Sequence, residues 1–94
     1  MLEKQIERKL CYEVDKLGGM CLKQNGVTGI PDRLVLMPGG KMAFVELKAP
    51  GEKPRKLQQV RIKQLRKMGS MCYVVDGLEM ISDVLDSIKG GGTE

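Results

Sequence analysis

PDRLVLMPGGKMAFVELK, residues 31–48, is the stretch that decides the fold. Two apolar runs, 33–37 and 41–47, flank Pro38-Gly39-Gly40, and this pattern predicts a β-hairpin because the glycines permit a tight turn between two strand-forming segments. Both runs are apolar at nearly every position, so we expect the sheet to be covered on both sides. Ala49-Pro50-Gly51 ends the second strand.

Three ionisable side chains, Asp32, Glu46 and Lys48, interrupt this apolar hairpin. Glu46 and Lys48 are two residues apart, so a strand directs both side chains to the same side of the sheet. If Met37 pairs with Lys41 across a three-residue loop, position 32 falls opposite position 46, and the two carboxylates become neighbours with Cβ atoms roughly 5 Å apart. A two-residue loop would turn them to opposite sides. We favour the longer loop, because adjacent carboxylates repel one another and a divalent cation relieves that repulsion.

Each of these charges also has a purely structural interpretation. Glu46 could form a salt bridge with Lys48, and Asp32 could cap the turn at Pro31. The structural interpretation needs separate reasons for three charges in one place, whereas one active site explains them together.

Outside the hairpin, hydrophobic periodicity predicts the remaining elements of a single α/β domain. We predict helices at 2–17, about 54–68 and 78–88, and further strands at 20–24 and 71–75. The order αβββαβα indicates a small mixed sheet flanked by helices.

The bulk composition is that of one globular domain. The chain has 94 residues, 41% hydrophobic and 30% charged, which leaves no room for a second core. We assign residues 1–89 to this domain and 90–94, which include three glycines, to a flexible tail. No apolar run approaches the roughly 20 residues of a membrane span, and the N-terminus is too charged for a signal peptide. We therefore expect a cytoplasmic protein without a membrane partner.

The net charge of +4 is unevenly distributed. Residues 52–69 contain seven basic residues and one acid, whereas residues 76–94 contain five acids and one lysine. A basic segment beside an acidic one favours a polyanionic partner that docks on one side, although a solvated helix face gives the same pattern. The three cysteines are widely spaced and the chain has no histidine, so we expect reduced core thiols and no zinc site.

The motifs around the three charges resemble a known nuclease signature. Gly-Ile-Pro-Asp-Arg at 29–33 is followed by Phe-Val-Glu-Leu-Lys-Ala-Pro-Gly at 44–51, and a glutamine lies early in the next helix. This resembles the PD-(D/E)XK superfamily, and within it the stand-alone phage and bacterial members of the VRR-NUC family. The resemblance implies a restriction-endonuclease-like fold.

The resemblance also implies a role for each residue of the motif. Asp32 and Glu46 would bind Mg²⁺ or Mn²⁺, with the backbone carbonyl of Leu47 as a further ligand. Lys48 would position or activate the attacking water and stabilise charge on the phosphate.

Two further side chains are candidates by resemblance, each with a competitor nearby. For a glutamate from the first helix, Glu3 lies about 40° from the centre of the apolar stripe and Glu7 about 80°, so we favour Glu3. For the helix glutamine, Gln58 fits the family spacing better than Gln59 and lies nearer the apolar side.

The implied activity is that of a metal-dependent deoxyribonuclease. Stand-alone members resemble Holliday junction resolvases, which implies branched DNA as substrate and a homodimer. Four basic residues near the motif would contact phosphates: Arg33, Lys53, Arg55 and Lys56. The alternatives are a non-catalytic nucleic-acid-binding module with a nuclease-like fold and a protein-binding relic of such a nuclease. The intact acid-acid-lysine trio argues against both.

Overall fold

The computed structural model describes residues 2–91, which form one mixed four-stranded sheet with helices on both sides. The elements are α1 (Glu3–Lys16), β1 (Met20–Lys23), β2 (Arg33–Met37), β3 (Lys41–Leu47), α2 (Lys56–Lys67), β4 (Cys72–Val75) and α3 (Ile81–Lys89), the last preceded by a 3₁₀ turn at Leu78–Met80. The sheet order is β1-β2-β3-β4, antiparallel except between β3 and β4. The predicted fold class and element order are confirmed.

The register of the central hairpin is the one that brings the carboxylates together. Met37 pairs with Lys41 and Arg33 with Val45, across the three-residue loop. Gly39 and Gly40 have φ of 88° and 79°, a left-handed conformation that only glycine adopts without strain. One further step along this register sets Asp32 opposite position 46.

The hydrophobic core lies on the side of the sheet that α1 and α3 cover. Val35, Val45 and Leu47 on the two central strands are fully buried there, because alternate residues of a strand point to one side. The helices contribute a matching set of buried side chains: Ile6, Leu10, Val14, Ile81, Val84, Leu85 and Ile88.

The opposite side of the sheet is only partly covered, which corrects the expectation of complete cover. There α2 packs on β4 through the buried Ile62, while Leu34 and Phe44 remain half-buried and Met42 is 48% exposed. A helix about 10 Å wide covers about two strands spaced 4.8 Å apart, so one helix cannot shield four strands.

The ends of two helices differ from the prediction for identifiable reasons. The Arg55 N–H donates to Gln58 Oε1 at 2.7 Å, which sets the start of α2 at Lys56 and leaves Pro54 outside the helix. The N–H groups of Gly90 and Gly91 donate to carbonyls of the last turn of α3, so these two residues close that helix. Residues 92–94 of the predicted tail lie outside the described residues. None of the helices formed by residues 2–91 has the length and apolar character that a membrane span requires.

Candidate active site

Asp32 lies at the end of a loop that precedes β2 and contacts α2. The loop residue Gly29 has φ +85°, and a Cβ there would lie 2.8 Å from Leu57 Cγ, so glycine is required both by conformation and by space. Arg61 Nε donates to the Thr28 carbonyl at 3.2 Å. At the end of this loop, Asp32 Oδ2 accepts the Leu47 N–H at 2.9 Å. The carboxylate of Asp32 therefore reaches across to β3 beside Glu46.

Glu46 and Lys48 are buried charges on the same side of β3. Glu46 is 1% exposed and Lys48 is 9% exposed, and Lys48 Nζ lies 3.5 Å from Glu46 Oε2. Within residues 2–91, Glu46 Oε1 is buried and finds no hydrogen-bond partner. Burial, and secondly the negative charge of Asp32, raises the pKa of Glu46 to about 7, although Lys48 acts in the opposite direction. The carboxylates are thus close enough to repel one another, as the register predicted.

The carboxyl end of β4 closes the site beside Lys48. The Lys48 N–H donates to the Val75 carbonyl at 3.0 Å, and Asp76 Oδ2 accepts the Gly51 N–H at 3.3 Å. Asp76 thereby holds the loop that follows β3. Sequence reasoning did not single out Asp76, although the carboxyl ends of adjacent parallel strands meet at one edge of a sheet.

The two acids at the start of α1 have different surroundings. Glu7 Oε2 accepts from Arg33 Nε at 2.8 Å, so this carboxylate is committed to an ion pair. Burial, and secondly the charge of Asp32, raises the pKa of Glu3, while Lys48 lowers it. Glu3 therefore lies within the electrostatic reach of the trio.

Two known proteins match this chain over nearly its whole length. "Putative nuclease p44" of Acyrthosiphon pisum secondary endosymbiont phage 1 is 44% identical over 89 residues, which cover 93% of this chain and 95% of the relative. A solved structure described as "VRR_NUC domain" matches with a TM-score of 0.81 at 29% identity, over 89% of this chain and 94% of that one.

The chain belongs to the VRR-NUC family. No protein-family model matches the sequence. The VRR-NUC fold and the phage relative together identify a nuclease, and the resemblance of the motifs to this family is confirmed.

The basic residues expected to contact phosphates fall into two groups in this VRR-NUC domain. Arg33 is bound within the protein, because its Nη1 donates to the Cys21 carbonyl at 2.9 Å in addition to the Glu7 pair. Its geometry therefore argues for a structural role and against phosphate binding. Lys53, Arg55 and Lys56 are exposed at the start of α2, a few residues beyond Lys48, and are free to meet a polyanion.

Both glutamines at the start of α2 make hydrogen bonds that stabilise the helix N-terminus. Gln58 is half-buried and its Oε1 accepts the Arg55 N–H, whereas Gln59 is exposed and its Nε2 donates to the Pro54 carbonyl at 2.8 Å. A catalytic role for Gln58 stays a prediction.

The chemistry of the trio fits a divalent cation held by few protein ligands. Among residues 2–91, no group of three or more His, Cys, Asp or Glu side chains is arranged to hold a metal. Mg²⁺ does not need one, since it keeps several waters and is commonly bound by one or two carboxylates. A buried carboxylate oxygen without a partner, beside a second carboxylate, is the environment that such an ion would complete.

Proposed function

We propose that this VRR-NUC protein is a Mg²⁺- or Mn²⁺-dependent DNA endonuclease that hydrolyses phosphodiester bonds. The observation that carries the proposal is the cluster of the half-buried Asp32 with the buried Glu46 and Lys48, in which Glu46 Oε1 has no partner among the described residues. A solvent-excluded carboxylate oxygen without a hydrogen-bond partner destabilises the fold, so its retention favours a functional role.

Asp32 and Glu46 would hold the metal ion, with the backbone carbonyl of Leu47 as a third protein ligand. Asp32 is fixed for this task because one carboxylate oxygen accepts the Leu47 N–H, which leaves the other oxygen for the ion. When bound, a divalent ion lowers the pKa of a water and neutralises the phosphoryl oxygens.

Lys48 supplies positive charge where the phosphate becomes more negative. Lys48 is only 9% exposed, so its interaction with a phosphoryl oxygen would be weakly screened by solvent. Glu46 holds the ammonium group in place from 3.5 Å. Glu3 and Gln58 complete the proposed set, Glu3 as a further acid within reach of Asp32 and Lys48.

DNA would approach over the exposed basic residues at the start of α2. The loop after Lys48 is followed in sequence by Lys53, Arg55 and Lys56. DNA whose phosphates bind these residues would therefore pass close to the trio. Contacts of this kind fix the position of the DNA without reading its sequence, and they weaken as salt rises.

Branched DNA and a homodimer form one linked proposal. Symmetric cutting of a four-way junction needs two active sites related by a two-fold axis. A second copy of the chain would cover the part of the sheet that α2 leaves only partly covered, at the exposed Met42 and the half-buried Leu34, Leu36 and Phe44. By strand alternation this is also the side that carries Glu46, so the two active sites of such a dimer would open toward one surface.

The dimer is tested by sedimentation of two matched variants. Met42→Lys places a charge in the proposed interface and should shift the protein to monomer. Tyr12→Lys changes another exposed apolar residue, on α1 at the other side of the sheet (59% exposed against 48% for Met42), and should leave the dimer intact. A wild-type monomer at assay concentration, or equal effects of the two variants, would refute this interface.

The activity is tested by cleavage of a four-way junction and of a linear duplex of the same sequence, in Mg²⁺, Mn²⁺ or EDTA. We expect metal-dependent cutting that prefers the junction and that Asp32→Asn lowers by about 100-fold or more. Asp83→Asn, which neutralises an exposed acid on α3, is the control and should cut normally. Binding in EDTA without cutting under any condition would instead support the non-catalytic nucleic-acid-binding module.

A further inference from the structure

Three residues of α1 form a stripe that faces the sheet edge, and the last of them is a cysteine. Glu3, Glu7 and Cys11 recur every four residues, so a helix presents them along one line. Glu7 is paired with Arg33, and Cys11 lies one turn further along, with its Sγ 2.6 Å from Cys21 Sγ on β1. The nuclease activity proposed above assigns no role to either thiol.

The two sulfur atoms are placed for bond formation. Both cysteines are free and half-buried, and each belongs to a regular element packed against the other. A disulfide brings its sulfurs to about 2.05 Å, so a movement of roughly half an ångström would suffice. Side-chain rotation can supply this movement without a shift of α1.

We propose that Cys11 and Cys21 are an oxidation site at which hydrogen peroxide converts the two thiols into an intramolecular disulfide that ties α1 to β1. In the first step, the Cys11 sulfur attacks the peroxide, the O–O bond breaks, and one oxygen becomes the hydroxyl of a sulfenic acid while the other leaves as water. In the second step, the Cys21 sulfur attacks the Cys11 sulfur, the S–O bond breaks, and the hydroxyl leaves with the Cys21 proton as water. The two thiols lose two electrons and two protons, and the peroxide is reduced to two waters.

The surroundings of Cys21 favour Cys11 as the thiol that peroxide oxidises first. Burial, and secondly its hydrogen bond with Cys11, raises the pKa of Cys21 to about 12. A thiol in this state reacts slowly with peroxide but stands beside the Cys11 sulfur once that atom is oxidised. Cys72, which is buried and belongs to the strand at the other edge of the sheet, serves as an internal control.

The crosslink would stabilise the domain without entering the active site. It closes a loop across residues 11–21 and so restricts the unfolded chain, which for a loop of this length corresponds to a rise in Tm on the order of 10 °C. Since the disulfide requires no displacement of α1, the position of Glu3 at the start of the helix is kept, and cleavage by the oxidised protein should stay within about two-fold of the reduced protein.

The test is peroxide treatment of the reduced full-length protein, followed by intact mass, peptide mapping and thermal unfolding. We expect a mass loss of two hydrogen atoms, one peptide pair linked through Cys11 and Cys21, and a higher Tm that a dithiol reductant reverses. Cys72→Ser should behave like the wild type. Cys21→Ser should lose the crosslink and instead accumulate oxygen at Cys11.

Three outcomes would overturn the proposal. They are an unchanged mass with all thiols still titratable, a linkage that involves Cys72, and disulfides formed only between separate chains. The mass and mapping results come from the wild-type protein, so they decide the matter even if a serine variant folds poorly. They need no nuclease substrate, so they are independent of the activity proposed above.

Discussion

Replacing Glu46 by glutamine should stabilise the metal-free protein at alkaline pH while abolishing cleavage. Glu46 is 1% exposed, and its pKa is raised from 4.5 to about 7. Below pH 4.5 the carboxyl is protonated in both the folded and the unfolded state, so its ionisation has no effect on stability. Above pH 7 the unfolded chain ionises freely, whereas the folded chain must place a charge in the interior. The free energy of unfolding should therefore fall as pH rises from about 4.5 to 7.

The size of this effect follows from the two pKa values. Each pH unit between them corresponds to about 1.4 kcal/mol, so the full cost is about 3 kcal/mol above pH 7. At pH 5 the same linkage leaves a cost of about 1 kcal/mol. Glutamine has nearly the same shape and no charge to bury, so Glu46→Gln should gain about 2 kcal/mol on wild type between pH 5 and pH 8.

Urea unfolding in EDTA at pH 5 and pH 8 measures this directly, for wild type and Glu46→Gln. Comparing each protein with itself at two pH values removes any pH-independent cost of the substitution, such as a change in side-chain packing. The interaction with Lys48 depends on the ionisation of Glu46 and is already contained in the raised pKa of about 7. The other titratable groups are shared by both proteins. Parallel pH profiles for the two proteins would refute the electrostatic description of the site, whatever the cleavage assay shows.

The remaining predictions concern α1 and the turn that follows it. Glu7→Gln removes a half-buried ion pair and should lower the free energy of unfolding by about 1–3 kcal/mol in urea unfolding, whereas Glu3→Gln should change it by less than about 0.5 kcal/mol and yet slow cleavage. The opposite pattern would make Glu7 the functional acid. Gly19→Ala should lower the free energy of unfolding by about 2 kcal/mol or more, and Tm with it, because the added Cβ would clash with the Leu36 carbonyl oxygen. Gly26→Ala is its control: φ is +98° but the space is open, so about 1 kcal/mol of backbone strain is expected, and equal Tm losses would contradict the steric explanation.

The strand bounds of the central hairpin could be predicted to the residue because their signals are local: the runs at 33–37 and 41–47 end where proline and glycine interrupt them. The register was not fixed locally, because a two-residue loop was also open. The repulsion between adjacent carboxylates favoured the three-residue loop, which is the one that the structure shows. The predicted start of α2 was less accurate, because proline and arginine are both acceptable near a helix N-terminus. The hydrogen bond from the Arg55 N–H to the Gln58 side chain sets the actual start. The open side of the sheet was missed, since an apolar pattern shows what a strand can bury and not how wide its covering helix is.

For the candidate site too, some residues could be predicted from local sequence, whereas the placement of others depends on tertiary contacts. Spacing along one strand placed Glu46 with Lys48, and the register added Asp32. Helix phase ranked Glu3 above Glu7, and this choice stays a prediction. Phase could not show that Glu7 is paired with Arg33, which lies on another element. Asp76 could not be predicted from the sequence, because its role depends on the parallel pairing of β3 with β4.

The geometry of the trio favours catalysis over a purely structural role. A salt bridge that stabilised the fold would bring its atoms to about 2.7–2.9 Å and satisfy both carboxylate oxygens. Here the Lys48–Glu46 distance is 3.5 Å, and the second oxygen of Glu46 has no partner among residues 2–91. A domain of this size has a total stability of roughly 5–15 kcal/mol, so a local cost of about 3 kcal/mol is a large fraction of it. A module that only bound nucleic acid would need its exposed lysines and arginines and not this buried charge. A bound cation and a phosphate would offset the cost of burying the Glu46 charge. This explains why a charge that destabilises the metal-free fold is kept at the active site.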